Sequence, residues 1–446
     1  MGRRSHGRAL EVWSNGQHVA TWAIPARGPM ELLYDEAWVQ SPLGRPLSLS
    51  LPFGFGGLAL KGEAVAHFFS NLLPDSESIR RRMAAKFKAD STEAFDLLAA
   101  VGRDCVGAVQ LLPPGTAPEG YDRIEGQPLS EAGVARHLRR VVAAPVMGQP
   151  DEDDEFCISL AGAQEKSALL WHAGQWQLPH GATPTTHIFK LPLGLVGNSR
   201  VNLSTSVENE WLCLRLLKAY GLPVASAEMA HFEDQRVLVV ERFDRQLHPS
   251  GHWWVRLPQE DFCQALGCSP QQKYEADGGP GFGDLARILQ QSSRSEQDLD
   301  TLLATQILFW MLAATDGHAK NFSLRLLAGG RFHLTPVYDV LSAWPVIGRG
   351  QGKWEAQKVK LAMAVEGKNR HYQLKSIQRR HFNHMAQRHG YARGAEPVIR
   401  QLLERTPSVI ESVRAELTAD FPGQVADAIL KGLESSAQAL AQMPAA

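Results

Sequence analysis

The feature that most constrains this chain is its longest apolar run, TLLATQILFWMLAAT at 301–315, followed at once by the polar turn DGHAKN. A run without a charged residue and with apolar side chains at most positions has to be buried nearly all round. It falls short of the roughly 20 residues that cross a bilayer, so it reads as a core helix. Five polar or ionisable groups then crowd into the helix end, in ATDGHAKNFSL. A core helix that terminates in such a cluster delivers chemistry to a defined place, and the rest of the sequence bears on which chemistry.

At 446 residues the chain exceeds the roughly 250–300 at which single cores stop growing, so more than one domain is expected. Lys and Arg together number 46 against 47 acidic residues, which leaves no global field to draw the molecule onto DNA or an anionic membrane. A nucleic-acid contact would have to be local or made by a partner. The cysteines, 105, 157, 213, 263 and 268, are odd in number and contain no C-x-x-C pair, which speaks against a disulfide framework and against a zinc site. A reducing cytoplasm is the expected compartment. The start, MGRRSHGRAL, has basic residues without an apolar stretch behind them, and His6 stands where a myristoylation signal wants Ser or Thr.

Up to about residue 112 short strand-like pieces (LEVW, HVATWAI, MELLYD) alternate with two helical stretches, AVAHFFSNLL and TEAFDLLAAVG, and PPGTAPEG then makes a linker or long turn. The helical piece SEAGVARHLRRVVA leads to the acidic run DEDDE at 151–155, a solvated loop by composition. From 156 the pattern becomes β: EFCISL, KSALLWH and QWQLP are punctuated by AGAQ and HAGQ, which predicts consecutive hairpins. THIFKLP is a further strand, with Ile188 and Lys190 on one face and Phe189 and Leu191 on the other. ENEWLCLRLLKAYGLP is an amphipathic helix stopped by Gly221 and Pro223, and HFEDQRVLVVERFDR gives two strands around a turn. From about 256 onward nearly everything reads as helix. The expected architecture is α+β and two-lobed, with an all-helical C-terminal lobe.

Within the polar turn, Asp316 and Asn321 form D-x-x-x-x-N, and Asp339 follows in LTPVYDVLSAWP, a strand-like piece. Phosphoryl transfer from ATP needs these atoms: a carboxylate to take the proton of the attacking hydroxyl, and hard oxygen ligands for magnesium. Protein kinases use this spacing in their catalytic loop, with a second Asp downstream for the metal. Asp and Asn are also ordinary capping and turn residues, so a plain polar turn is the stronger reading of these six positions alone. Lys190 is a lone cation in an apolar strand, which either snorkels from an edge or reaches a ligand phosphate. Glu208 and Glu210 near the start of the next helix suit its dipole, and either could pair with Lys190, Glu210 being favoured. ISLAGAQEKSALL has the place of a nucleotide-covering hairpin but only one glycine, Gly162, and fits no glycine-rich phosphate fingerprint.

Taken together, these segments resemble the HipA family, the serine/threonine kinase toxins of bacterial type II toxin-antitoxin systems. The resemblance is collinear and nearly end to end. RPLSLSLP, FFSNLLPDS and GRDCVGAVQLLP match the family's N-terminal subdomain. ISLAGAQEKSALL, PTTHIFKLPLG, SVENEWLCLRLLKAYGLPVASAE, VVERFDR, RLPQEDFCQALG, KYEADGGPG, ATDGHAKNFS and LTPVYDVLSAWP match its kinase core. The resemblance implies a protein-kinase-like fold with an extra β-rich N-terminal subdomain at 1–118, a kinase N-lobe at 119–245 and a helical C-lobe at 246–446. It implies a loop over ATP formed by Ala161, Gly162, Ala163, Gln164, Glu165 and Lys166, a phosphate-contacting Lys190, and a hinge of Glu241, Arg242 and Phe243 facing adenine. Asp316 becomes the catalytic aspartate, Asn321 and Asp339 the magnesium ligands, and His318, Lys320 and Tyr338 neighbours of the nucleotide. Ser159 matches the serine on which the family phosphorylates itself, and a phosphate there adds roughly two negative charges beside the ATP loop.

The resemblance further implies ATP and Mg2+ as cofactors and a HipB-type helix-turn-helix antitoxin as partner, with operator DNA contacted mainly through that partner and operon repression shared with it. An aminoacyl-tRNA synthetase, glutamyl-tRNA synthetase first, is the implied protein substrate, and growth arrest and persistence the consequence. The chain also departs from ordinary kinases. Ala314 and Thr315, not His-Arg, precede Asp316; His318 stands where those kinases carry a lysine, with Lys320 two residues further; Val340 and Leu341 replace Phe-Gly after Asp339. A histidine at that place also occurs in aminoglycoside-type phosphotransferases and lipid kinases. The alternatives are therefore a small-molecule kinase and a nucleotide-binding corepressor without phosphotransfer. The Gly- and Lys-rich segment VIGRGQGKWEAQKVK at 346–360 reads equally as a solvated loop or as a substrate-docking segment.

Overall fold

A computed structural model of the chain describes residues 7–142, 164–196 and 200–445. The acidic run at 151–155, Cys157, Ser159, the strand expected over EFCISL, and Ala161, Gly162 and Ala163 lie outside the described residues.

The N-terminal part is built on a five-stranded antiparallel sheet in the order Leu60–Lys61, Glu31–Tyr34, Gln17–Ile24, Arg8–Ser14, Gln110–Leu112. The hairpin between its two long strands turns through Asn15 and Gly16, both at positive φ (48° and 79°), the Asn-Gly pair that suits the twist of a tight hairpin. Leu10, Val12, Val19 and Trp22 face inward against the helices Glu63–Ser70 and Ala94–Val101, and Trp22 stacks on Phe69 with ring centroids 3.8 Å apart. This is a core separate from that of the helical half.

A second antiparallel sheet has six strands in the order Ala227–Phe232, Gln235–Glu241, His187–Lys190, Lys166–His172, Gln175–Pro179, Gly126–Pro128. The HAGQ hairpin turns through Ala173 and Gly174 at φ 51° and 78°. Strand alternation sorts the central strand: Phe189 enters an apolar cluster with Leu169, Leu178 and Val237, while Ile188 and Lys190 line a cleft on the other face. The helix Ser206–Ala219 closes that side and ends at Tyr220 and Gly221, the latter at φ 92°.

The C-terminal half is dominated by the helices Phe282–Leu289, Ser295–Met311, Arg379–Arg388, Glu396–Ala415 and Gly423–Gln442. The apolar run lies in and just beyond Ser295–Met311, whose side chains from Leu302 onward are almost all buried. This half is not purely helical as the sequence suggested. It also holds a three-stranded sheet, Gln259–Asp261, Ser323–Leu326 and Phe332–Leu334, and a hairpin of Lys360–Glu366 with Arg370–Gln373. Strands of three or four residues are too short for a two-residue period to stand out, and Lys360–Glu366 is buried along nearly its whole length, so its apolar residues do not alternate with polar ones. Asp339 lies outside any strand; the segment before it makes only a parallel bridge between Val224 and Val337. Among the described residues no helix is long and apolar enough to cross a membrane.

Candidate active site

The buried helix delivers the polar turn. Its last residues are followed by Ala313 at φ 50°, which reverses the chain. Gly317 is required by packing, because a Cβ there would fall 2.2 Å from the Phe309 ring. The turn is closed by His318 N–H on the Asp316 carbonyl (2.8 Å) and Asn321 N–H on the His318 carbonyl (2.9 Å). Asp316 is left exposed while His318, Lys320 and Asn321 are buried. The Asn321 amide nitrogen donates to the carbonyls of Asp316 (2.8 Å) and Asp339 (3.4 Å), so it joins the two acidic segments and fixes which end of the amide is oxygen.

Asp339 sits at φ 60°, a left-handed conformation that Asp and Asn tolerate better than other side chains with a Cβ. Its Oδ1 accepts from the Lys190 ammonium at 2.7 Å, and the same ammonium donates to Glu210 Oε1 at 2.7 Å. Lys190 thus bridges the sheet, the helix Ser206–Ala219 and the Asp339 turn. Burial opposes the lysine's charge, but Asp339 and Glu210 outweigh it and hold the ammonium well above its ordinary range. Burial likewise opposes ionisation of Asp339, yet Lys190 and Lys166 keep its carboxyl down at about 2. Glu210, fully enclosed, is pushed up to about 7 by burial. Two carboxylates on one buried ammonium leave an excess negative charge, and protonating Glu210 relieves it. Glu208, the alternative partner, pairs instead with Arg236.

Lys166 stands directly across the strand pair from Lys190 and faces the same cleft. Burial and the neighbouring Lys190 charge lower it to about 8. Gln164 ties its side-chain amide to the Leu191 carbonyl at 2.5 Å, and Glu165 pairs with Arg82. At the other end of the cleft Phe243 and Tyr338 lie 5.6 Å apart between ring centroids. The Tyr338 hydroxyl is within 2.5 Å of Ser323 Oγ and donates to the Lys320 carbonyl, and burial raises its pKa. Glu241 is exposed at the end of its strand. The Arg242 guanidinium is engaged in a buried cluster: with Arg245 and Arg256 it surrounds Asp104 and Asp244.

His318 is the least satisfied member. Its Nδ1 is buried without a hydrogen-bond partner among the described residues, its Nε2 lies 3.9 Å from Asp316 Oδ1, and burial lowers its pKa, which keeps the ring neutral. The cleft, of about 220 Å3, therefore carries lysines, carboxylates, an amide and one unpartnered imidazole nitrogen. Among the described residues no group of three or more His, Cys, Asp or Glu side chains is arranged to hold a metal. One carboxylate and one amide oxygen, from Asp339 and Asn321, match a hard cation that takes its other ligands from phosphates and water.

Sequence reasoning missed a whole wall of this cleft. Asn71, Asp75 and Val106 of the N-terminal part line it, as do Lys273 and Asp261. Asp75 accepts from Lys320 at 2.7 Å and from Lys273 at 2.9 Å. Tyr274 donates its hydroxyl to Asp316 Oδ1 at 2.7 Å. FFSNLLPDS and KYEADGGPG stand out in the sequence as segments, with nothing in them that assigns a role to any one residue. Their partners are up to 245 positions away, and no local pattern marks such a contact.

A family described as HipA-like C-terminal domain matches residues 158–410, and one described as HipA N-terminal domain matches residues 10–112. The Y4mE protein of Sinorhizobium fredii is 35% identical over 364 residues, which cover 80% of this chain and 82% of that one. The serine/threonine-protein kinase toxin HipA of Shewanella oneidensis is 27% identical over 345 residues, covering 75% of this chain and 72% of the relative. A chain in the solved complex of Shewanella oneidensis HipA, HipB and operator DNA has the same fold, with a TM-score of 0.76, 22% identity and 96% of each chain covered. Kinase-like geometry in the cleft, domain matches in both halves and relatives along most of the length converge, and the chain belongs to the HipA family of kinases.

Proposed function

We propose that this protein is an ATP- and Mg2+-dependent protein serine/threonine kinase acting as the toxin of a toxin-antitoxin pair. The observation that carries the reading is the Lys190 ammonium, held at 2.7 Å from both Glu210 and Asp339, with Asn321 tying Asp339 to the turn that carries Asp316. A lysine poised in this way suits the phosphates of ATP, and Asp339 with Asn321 suits magnesium, which when bound neutralises charge on the phosphate oxygens. Lys166 and Gln164, with Ala161, Gly162, Ala163 and Glu165, would cover the nucleotide; Phe243, Tyr338, Glu241 and Arg242 border the end where adenine would lie.

Asp316 is the general base. With one carboxylate oxygen engaged by Tyr274, the other can accept the proton of a substrate serine or threonine hydroxyl. The hydroxyl oxygen of the substrate forms a bond to the γ-phosphorus, the bond to the β–γ bridging oxygen breaks, ADP leaves and the proton passes from Asp316 to solvent. His318, buried beside Asp316, meets the Tyr274 ring edge-on with centroids 5.0 Å apart. The functional division follows the sequence reading: 1–118 as N-terminal subdomain, 119–245 as N-lobe, 246–446 as C-lobe.

The family further supports a HipB-type antitoxin as partner, contact with operator DNA through it, shared repression, and a cytoplasmic site of action. An aminoacyl-tRNA synthetase, glutamyl-tRNA synthetase first, is the proposed substrate, and Ser159 the proposed site of inactivating autophosphorylation. Phosphoproteomics after expression of the wild type and of Asp316→Gln tests the reading. Growth arrest with a new phosphoserine on a synthetase, absent with Asp316→Gln, is the expected result. Equal arrest by both proteins overturns it, and arrest without any new phosphoprotein points to a small-molecule substrate.

A further inference from the structure

We propose that Asp75, in the N-terminal part, is a positioning residue of the catalytic centre: it holds the Lys320 ammonium in the cleft, ready for the γ-phosphate of the nucleotide. The proposal rests on the kinase reading and adds to it a residue outside the kinase core. Lys320 is a buried lysine, its side chain 4% exposed, and a side chain of this kind needs a counterion to offset its lost hydration. Its ion pair is with Asp75 Oδ1 at 2.7 Å, while Asp75 Oδ2 takes Lys273 at 2.9 Å. An ammonium has three donors, so one bond to Asp75 fixes its direction and leaves capacity for a second anion. Both side chains line the cleft that holds Asp316, Asn321 and Asp339.

A second arm runs through the same carboxylate. Asp75 anchors Lys273, and the next residue, Tyr274, donates to Asp316. The Asp75 carboxylate is itself well fixed, because the segment around it is bonded to the segment 260–268 at several points. Asn71 Nδ2 donates to the Cys268 carbonyl (2.9 Å), His67 Nδ1 lies 2.9 Å from the Gly267 carbonyl, and Ser50 Oγ donates to the Gln264 carbonyl (2.6 Å). Burial works against ionisation of Asp75, but the two lysines outweigh it and keep the carboxyl below its ordinary range. The N-terminal part is by this argument one wall of the phosphate end of the site and sets the direction of its lysine. Pre-set charge of this kind stabilises a transferring phosphoryl group without reorganisation.

The isosteric Asp75→Asn keeps the packing and removes the charge, and Lys320→Ala removes the lysine. Binding of ADP and of a non-hydrolysable ATP analogue, each with Mg2+, is measured by calorimetry on the full chain, alongside thermal melts. Turnover is followed as phosphate incorporated into lysate protein. Wild type should prefer the analogue over ADP. In Asp75→Asn the preference should fall at least about fivefold, ADP affinity should stay within about threefold, and phosphate incorporation should fall at least about tenfold. Adding Lys320→Ala to Asp75→Asn should cost little more. A merely structural role would lower the melting temperature and both affinities together. An unchanged preference in Asp75→Asn overturns the proposal, as do fully additive losses in the double variant. Should wild type transfer no phosphate to protein, the kinase reading fails, and the binding preference still decides the role of Asp75.

Discussion

Single residues set the electrostatics of this molecule, and Asp104 does so where no catalysis occurs. It lies buried among Arg245, Arg242 and Arg256, which outweigh the cost of burial and hold its carboxyl at about 2. Thr185 adds a hydroxyl bond at 2.7 Å. Removing one carboxylate from such a cluster leaves guanidinium charge buried without a counterion, a loss of about 3–5 kcal/mol. Asp104→Ala should lower the unfolding free energy from denaturant titration by that order, and the midpoint with it, whereas exposed pairs such as Arg81 with Glu77 should matter little when broken. An Asp104→Ala midpoint equal to wild type would contradict the account. Legibility at this scale divides by chain distance. Lys190 stood out as a lone cation in an apolar strand, and Glu210 lay on the adjoining helix within reach of inspection. Asp104 and Asp75 carried no such mark, since their partners come from the far half of the chain and ordinary turns contain many aspartates.

At the scale of elements, the strand Gln259–Asp261 joins the N-terminal part to the C-terminal half. Glu260 is wholly buried there; its Oε1 accepts from Leu49 N–H at 2.9 Å and its Oε2 has no hydrogen-bond partner among the described residues. Burial pushes its carboxyl from 4.5 up to about 8. A pKa raised on folding means that the folded state binds the proton more tightly. The stability it confers is complete below pH 4.5 and is lost as pH rises through about 8. Glu260→Gln has no proton to lose. Its stability relative to wild type should therefore grow across that window, by on the order of a few kcal/mol, in paired melts at several pH values. A flat difference would mean that Glu260 is not buried as described. The elements themselves were read unevenly. The hairpin marked by Ala173-Gly174, the two long N-terminal strands and helices with clear amphipathic or apolar runs were legible. Ser323–Leu326 and Phe332–Leu334 were not, because a strand that short carries no periodic signal.

Across the whole molecule, the N-terminal part, the six-stranded sheet and the C-terminal half meet at one cleft, and each contributes charge to it. The α+β class and the two-lobed plan were readable from the alternation of short strands and then long helices. The sequence could not show that the N-terminal part reaches into the site, because Asp75 meets Lys320 across 245 positions. The family's likeness extends along the chain, and ion pairs join its two parts: Asp104 is bound to Arg242 and Asp75 to Lys320 in the polar turn. The claim on which the rest depends is phosphoryl transfer to protein through Asp316. The most direct measurement incubates purified wild type and Asp316→Asn with γ-labelled ATP, Mg2+ and cell lysate, and follows label in protein. The account predicts label on discrete proteins with wild type and a loss of at least about a hundredfold with Asp316→Asn, the variant still binding ADP. Equal labelling by the two proteins, or no labelled protein with nucleotide-binding wild type, would contradict it.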